Sequence, residues 1–201
     1  MKIFNIRSLI VILFLHNMPN YNELKGKAQS RVTIINVKDA PSDNEWKLFF
    51  SRSFLWKKKL WSNLKKQGID FDDWNWSWRL AWIRSCTNKK NKFCAKIRRL
   101  GINDKALVIR SATAVALGQT YRNTKNKNVI NTLTKLFHAP KNKKTLFIHA
   151  RILEAISSIG GKYANKMGKK LSYSNKDLKS MWKKLEENQK GNMNQRQQRR
   201  S

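Results

Sequence analysis

The stretch Lys105-Ala-Leu-Val-Ile-Arg-Ser-Ala-Thr-Ala-Val-Ala-Leu-Gly-Gln-Thr-Tyr121 is a nearly continuous run of small and apolar residues. On a helix these residues lie on almost every side, and a helix of that kind is normally buried among other elements. Asn103 and Asp104, directly before the stretch, are residue types that favour the N-cap position. The stretch therefore predicts the central helix of an all-α domain.

Amphipathic patterns on both sides of this helix predict the elements that pack around it. Upstream, Ser42 and Glu45 have the spacing of a capping box, and aromatic and basic residues follow at helical spacing as far as Gly68. That run predicts one basic helix, or two helices separated near Ser51 to Ser53. The remaining helical patterns cover residues 74–86, 93–100, 129–138, 145–159 and 174–185. A compact helical core is therefore expected over residues 42–185.

The two ends of the chain differ from this core. Residues 1–15 join a basic start to a short apolar run, which is interpreted as a hydrophobic arm that packs on this or a neighbouring subunit, or as a signal or anchor. Met18 is an alternative start. Residues 31–37 have the β-branched composition of an extended segment. We expect residues 1–41 to form an N-terminal arm and residues 186–201, rich in Asn, Gln and Arg, to form a disordered basic tail.

The charge of the chain is the strongest indication of its partner. Forty-three Lys and Arg against twelve Asp and Glu give a formal net charge of +31 on 201 residues. Acidic residues are too few to neutralise so many cations, and a compact fold with that excess repels itself unless a polyanion binds. Nucleic acid is the polyanion that this balance predicts.

The candidate nucleic-acid contacts follow from where the cations lie. They cluster in connectors between helices, on one helix face and in the tail, and such loops can converge to line a groove that follows a phosphate backbone. The predicted RNA-binding cations are Lys57, Lys58, Lys59, Lys89, Lys90, Lys92, Arg122, Lys125, Lys127, Lys141, Lys143, Lys144, Arg196, Arg199 and Arg200. Nothing resembles a helix that reads the major groove, so the prediction is non-specific binding, to single-stranded RNA rather than duplex DNA.

Seven of the eight tryptophans divide into two groups. Five fall at helical spacing on apolar faces and are predicted to lie in the core: Trp46, Trp61, Trp74, Trp78 and Trp82. Trp56 and Trp76 fall off those faces beside basic residues. These two are the candidates for stacking on bases.

Motifs for catalysis or for a cofactor are absent from the sequence. It contains neither a Gly-rich phosphate loop nor a dinucleotide-binding fingerprint. Asp70, Asp72 and Asp73 form an acidic cluster that a metal-dependent nuclease would use, but helix capping explains them better. Cys86 and Cys94, even with His138 and His149, have spacings unlike those of zinc sites. We expect no enzyme activity, no metal and no cofactor.

Four short fragments resemble the nucleoproteins of phlebovirus-type bunyaviruses, in the order that the family has them. They are Met18-Pro-Asn-Tyr-Asn-Glu-Leu24, Gln67-Gly-Ile-Asp70, Ala116-Leu-Gly-Gln-Thr-Tyr-Arg-Asn123 and Arg151-Ile-Leu-Glu-Ala155. The resemblance implies an all-helical protein that encapsidates RNA, with an N-terminal arm that docks on the next protomer.

For the binding residues, the same resemblance implies that Arg122, Lys125 and Lys127 contact RNA phosphates. The chain departs from the family at Lys66 and Ile69, where base-stacking aromatic residues would stand, and in lacking most of the long C-terminal lobe after Gly161.

The leading hypothesis is a nucleocapsid-type structural protein that coats RNA and self-associates, located in the virion or host cytoplasm. The first alternative is a ribosomal protein of a mitochondrion or another organelle with AT-rich coding, where lysine, asparagine and basic tails are equally common. The second is a membrane-associated basic protein that uses residues 1–15 as an anchor. A nuclease comes last.

Overall fold

The computed structural model describes residues 12–13, 33–143 and 145–198. Over those ranges the protein is all-α, as predicted, with nine α-helices, two 3-10 turns and one pairing of two-residue strands. The chain forms two compact units, residues 1–78 and 79–201, which the sequence patterns do not anticipate. Helix α3 runs across the boundary.

The elements of the first unit are β1 (Ile12–Leu13), β2 (Thr33–Ile34), α1 (Asp43–Ser51), α2 (Phe54–Lys66) and a 3-10 turn (Phe71–Asp73). Helix α3 covers Trp76–Ser85. The second unit continues with α4 (Lys92–Asn103), α5 (Leu107–Thr120), α6 (Lys127–His138), a 3-10 turn (Pro140–Asn142), α7 (Leu146–Ile159), α8 (Lys162–Ser172) and α9 (Lys176–Gln198).

In the first unit, the predicted capping box is confirmed. The hydroxyl of Ser42 accepts from Glu45 N, and the carboxylate of Glu45 accepts from Ser42 N. The alternative with two helices is also confirmed, because the Ser53 side chain accepts from Trp56 N and begins α2.

The structure describes only part of the predicted N-terminal arm. Strand β1 pairs antiparallel with β2, so the extended segment near residue 33 has a partner. Ile35 and Val37 are buried, and Val37 O accepts from Asn75 N at 2.7 Å. The rest of residues 1–32, including the apolar run of residues 8–15 apart from β1, lies outside the described residues.

The core tryptophans are largely as predicted. Trp61, Trp74 and Trp78 are buried in the first unit, where Trp78 Nε1 donates to Asn36 O at 3.1 Å. Trp82 is buried in the second unit. Trp46 is only half-buried, and its ring meets the exposed Phe50 edge-on.

The second unit is built around α5 and α7, which pack closely together. Helix α5 is buried along most of its length, which confirms it as the central helix. Gly118 allows the close approach, because a Cβ placed there would lie 2.7 Å from Ala155 Cα. Helix α7 also contacts α6, α8 and α9, so it forms the second half of the core.

Two elements of the second unit differ from the sequence patterns because of glycines. Gly101 does not end α4 but lies within it, where Thr113 and Ile83 leave no room for a side chain. Helix α8 has no counterpart among the predicted helices, since small residues, Ala164 and Gly168, take up much of its buried face, while its four lysines are exposed. Gly168 is required there because the indole ring of Trp182 fills the space that a Cβ would occupy.

The last helix also differs from its pattern at both ends. Asn175 rather than Ser174 caps it, with Asn175 Oδ1 accepting from Asp177 N at 2.8 Å. Its backbone is helical as far as Gln198, past Leu185 and through most of the segment expected to be a tail. Glu, Gln and Lys are good helix formers, and a helix that is already nucleated extends at little cost.

Candidate nucleic-acid interface

Two loops meet where α5 and α7 end. The connector between α5 and α6, residues 121–126, runs beside the corner between α7 and α8, residues 158–161. Asn123 N donates to Ser158 O at 2.9 Å, and Lys125 N donates to Ile159 O at 3.1 Å. The two loops are therefore fixed to each other through their backbones.

The backbone of both loops is unusual. Asn123 and Lys125 have φ values of 58° and 56°, in the left-handed region that non-glycine residues rarely adopt. Gly160 and Gly161 have φ values of 74° and 91° with extended ψ, a conformation that glycine alone adopts without strain. A Cβ on Gly161 would lie 2.9 Å from Lys125 Cγ, so the side chain of Lys125 passes directly over this glycine.

A pocket of about 680 Å³ opens at this junction. Its lining combines cations, hydroxyls and amides with one carboxylate among the described residues. The lining residues are Arg122, Asn123, Lys125, Glu154, Ser157, Ser158, Ile159, Gly160, Gly161, Lys162, Asn165, Leu185, Asn188 and Gln189. This volume lies within the range of about 300–1,000 Å³ that is usual for small-molecule sites.

The electrostatics of the pocket favour an anion. The cations Arg122, Lys125 and Lys162 line it and are all exposed. Helix α8 begins at the pocket, and its N-cap residue Gly161 has no side chain to accept from the first backbone N–H groups. The positive end of the helix dipole therefore adds to the field of the three cations.

A second basic loop joins this site. Asn88 N donates to Thr120 Oγ1 at 3.1 Å, which places residues 88–92 beside the end of α5. Lys90 Nζ lies 5.9 Å from the ring centroid of Tyr121. The structure thus brings loop 88–92, connector 121–127 and corner 158–162 together, and we call these three segments the connector cluster.

The connector cluster contains six of the predicted cations, all of them exposed: Lys89, Lys90, Lys92, Arg122, Lys125 and Lys127. Lys127 Nζ lies 5.9 Å from the ring centroid of Tyr163. The prediction that basic connectors converge therefore holds for two of the three loops.

The third predicted loop lies at the opposite end of α5. Lys141 Nζ donates to Asn103 O at 2.6 Å and to Asp104 O at 3.1 Å, at the N-terminal side of that helix. Helix α5 has 14 residues, so it separates this loop from the connector cluster by about 20 Å. Lys143 is exposed at the same end, and Lys144 lies outside the described residues.

The predicted cationic face of α2 needs a correction at Lys57. This side chain is buried, its Nζ donates to Arg52 O at 2.7 Å, and it lies over the ring of Phe49. Lys57 therefore closes the end of α1 and does not present a free charge to a ligand. Lys58 and Lys59 are exposed.

The other predicted RNA contacts, two tryptophans and three arginines, differ in exposure and in whether the structure describes them. Trp76 is half exposed, as a stacking residue needs to be, whereas Trp56 is half-buried. Arg196 lies near the end of α9, and Arg199 and Arg200 lie outside the described residues.

The groups considered for a metal or for catalysis do not assemble. Asp70 makes an ion pair with Lys65 at 2.5 Å. Cys86 and Cys94 are buried and reduced, and burial is the main cause that raises the pKa of Cys86. Over the described ranges, no three His, Cys, Asp or Glu side chains lie close enough to hold a metal ion.

Sequence reasoning missed four residues of the pocket that matter for its chemistry: Glu154, Lys162, Asn165 and Gln189. Gly160-Gly161 is a visible signal, but it predicts only the end of α7 and not the start of a new helix at Lys162. The other three side chains come from different helices. Their convergence depends on how α7, α8 and α9 pack, which no local pattern encodes.

No protein family, no curated protein and no solved structure matches this chain. Among the described helices, none has both the length and the apolar character that crossing a bilayer requires.

Proposed function

We propose that this protein binds RNA through the phosphate backbone, without sequence specificity, and uses the connector cluster to do so. The observation that carries the proposal is the pocket at the junction of connector 121–126 and corner 158–161, with Arg122, Lys125 and Lys162 on its walls. The other four predicted cations of the connector cluster do not line this pocket. Three cations around one concave site can neutralise phosphates of one nucleic-acid strand.

The shape of the site supports a single strand. A pocket of about 680 Å³ admits a group the size of a nucleotide, not the width of a duplex. Tyr121 and Tyr163 stand beside the connector and the start of α8, each with a lysine over its ring. Aromatic rings next to a cationic groove are the common means by which proteins hold unpaired bases.

A nucleocapsid-type role, with RNA coating and self-association, is the form of this function that we propose. It is supported by the charge of +31 and by the resemblance of the connector fragment to nucleoproteins. In such a role one protein molecule covers a fixed length of RNA, so RNA and protein should form particles of constant stoichiometry.

The first test measures the affinity for a single-stranded RNA 12-mer at several salt concentrations. The slope of log K against log salt counts the phosphates neutralised, at about 0.7 per contact for single strands. Replacing Arg122, Lys125 and Lys162 together by Ala is expected to reduce this slope by about two. The matched control replaces Lys166, Lys169 and Lys170, three exposed lysines of α8 that do not line the pocket.

The outcomes separate the alternatives. A wild-type slope near zero would remove the proposal. An equal loss in the pocket variant and in the control would show that binding follows total charge and not this site. Strong preference for a folded RNA over single strands would favour the ribosomal alternative, and constant stoichiometry in light scattering would support the nucleocapsid form.

A further inference from the structure

The pocket of the connector cluster contains one group that an anion site would not be expected to have. Glu154 lines the same cavity as Arg122, Lys125 and Lys162. A carboxylate repels a phosphate, so its presence would weaken a site that bound phosphate alone. Its position needs a ligand with a hydrogen-bond donor close to the phosphate.

The carboxylate of Glu154 is held in place by its neighbour one turn earlier on α7. Arg151 Nη1 donates to Glu154 Oε2 at 2.9 Å, and the guanidinium of Arg151 lies over the ring of Phe147 at 5.4 Å. Among the described residues, Oε1 of Glu154 has no hydrogen-bond partner. The group is therefore oriented by one oxygen and has the other available as an acceptor.

The wall of the pocket next to Glu154 is also fixed. Gln189 of α9 donates through Nε2 to both the carbonyl oxygen and the hydroxyl of Ser157, each at 2.7 Å. This pair of bonds fastens α9 to α7 beside Glu154. Ser158 and Asn165 add further polar groups to the lining. The lining of the cavity thus combines three cations with one charged acceptor whose orientation is fixed.

We propose that this pocket holds one ribose with its phosphate and makes the protein selective for RNA over DNA. The phosphate lies against Arg122, Lys125 and Lys162, and the ribose 2′-hydroxyl donates to Glu154. A ribose hydroxyl is the one donor that accompanies each phosphate of RNA and is absent from DNA. An acidic residue that accepts from a ribose hydroxyl beside a phosphate site is a known solution in nucleotide-binding proteins.

This inference rests on the proposed function, because it assigns a selectivity to the same pocket. The test compares three single strands of one sequence by fluorescence anisotropy: RNA, DNA and 2′-O-methyl RNA. The methylated strand keeps the 2′-oxygen but cannot donate. Wild-type protein is expected to bind RNA about tenfold more tightly than either analogue, the effect of one hydrogen bond to a charged acceptor.

Glu154→Ala is the decisive variant. Removing a negative charge should strengthen binding of all three strands, while the ratio of RNA to DNA affinity falls to about one. Glu187→Ala is the control, since Glu187 is an exposed carboxylate of α9 that does not line the pocket. It should change all affinities in the same direction and leave the ratio unchanged.

Equal binding of RNA and DNA by the wild type would overturn the selectivity and leave backbone binding intact. A preference for RNA that persists in Glu154→Ala would equally overturn it. If no strand binds, the proposed function itself fails, and the two failures are therefore distinct.

Discussion

The two ends of α5 use basic residues in opposite ways. At the N-terminal end, Arg110 donates to Asp104 O and Lys105 O, each at 2.8 Å, and to Asn142 Oδ1 at 2.8 Å. Lys141 donates to backbone carbonyls at the same end. At the C-terminal end, Arg122 and Lys125 line the pocket and are exposed.

The difference follows from what the neighbouring carbonyl groups do. At the N-terminal end, the carbonyls of residues 103–105, between α4 and α5, take hydrogen bonds from Arg110 and from Lys141 of the turn before α7. In the connector cluster, Ser158 O and Ile159 O already accept from Asn123 N and Lys125 N. Buried carbonyls must be satisfied by some donor. Where the backbone supplies that donor, as it does here, Arg122 and Lys125 remain available for a ligand.

The largest effect is expected at the N-terminal end of α5, where the cations bond to the protein itself. Arg110→Met removes a donor from two buried acceptors, Asp104 O and Asn142 Oδ1, and from two partly buried carbonyls, so the free energy of unfolding should fall by about 3 kcal/mol. Urea denaturation measures this loss. The slope of RNA affinity against salt should stay unchanged, because Arg110 is buried and makes no contact with solvent anions.

Arg122→Met is the matched control and should give the reverse result. Its guanidinium is exposed and has only a 3.5 Å contact with Ser158 Oγ. Stability should stay within about 0.5 kcal/mol of wild type, while the salt slope falls. If both arginines changed stability and binding alike, the two ends would not differ in the way proposed here.

The sequence predicts the parts of this arrangement that depend on local patterns. The capping box at Ser42, the break before α2 and the buried character of α5 follow from residue types at fixed spacing. Lys57 and Lys58, adjacent and chemically identical, show where such reasoning ends. One reaches back to a free carbonyl at the end of α1 and the other faces solvent.

The candidate site is less predictable than the helices. Connector 121–127 is visible as a basic segment, but the pocket needs the corner at Gly160-Gly161 and side chains from α7, α8 and α9. Helix α8 itself escapes detection, because the reason for Gly168 is the ring of Trp182 fourteen residues later. Long-range packing of this kind leaves no periodic signal in the sequence.

A smaller effect, on both stability and RNA affinity, is expected at Gly161. Gly161→Ala introduces a Cβ at a φ of 91° and 2.9 Å from Lys125 Cγ. The strain should cost about 2 kcal/mol of stability, and the displaced lysine should lower RNA affinity as well. Gly191→Ala, on exposed helix α9 with open space around it, should be neutral or slightly stabilising. Unchanged RNA affinity in Gly161→Ala would argue against a role for Lys125.

The smallest effect is a dependence of stability on pH that arises from His149, away from the connector cluster. His149, in the first turns of α7, stacks on Phe137 at 3.9 Å, and its Nε2 lies 3.1 Å from Phe137 O. Burial lowers the pKa of His149, and nearby His138 lowers it further, against the opposing effect of the Phe137 carbonyl. The unfolded chain therefore takes up a proton more readily than the folded protein once the pH falls below about 6.5.

The free energy of unfolding should accordingly be highest above that pH. It should decline on acidification towards the lowered pKa that His149 has in the folded protein. Melting temperatures between pH 7.5 and 5.5 measure the decline. His149→Gln keeps a side-chain donor for Phe137 O but does not titrate, so it should flatten the curve of melting temperature against pH. His138→Gln, at an exposed position, should leave most of the pH dependence in place. A curve that stays as steep in His149→Gln would place the titrating group elsewhere. The connector cluster contains no histidine, so its RNA binding should remain constant from pH 7.5 to 6.5.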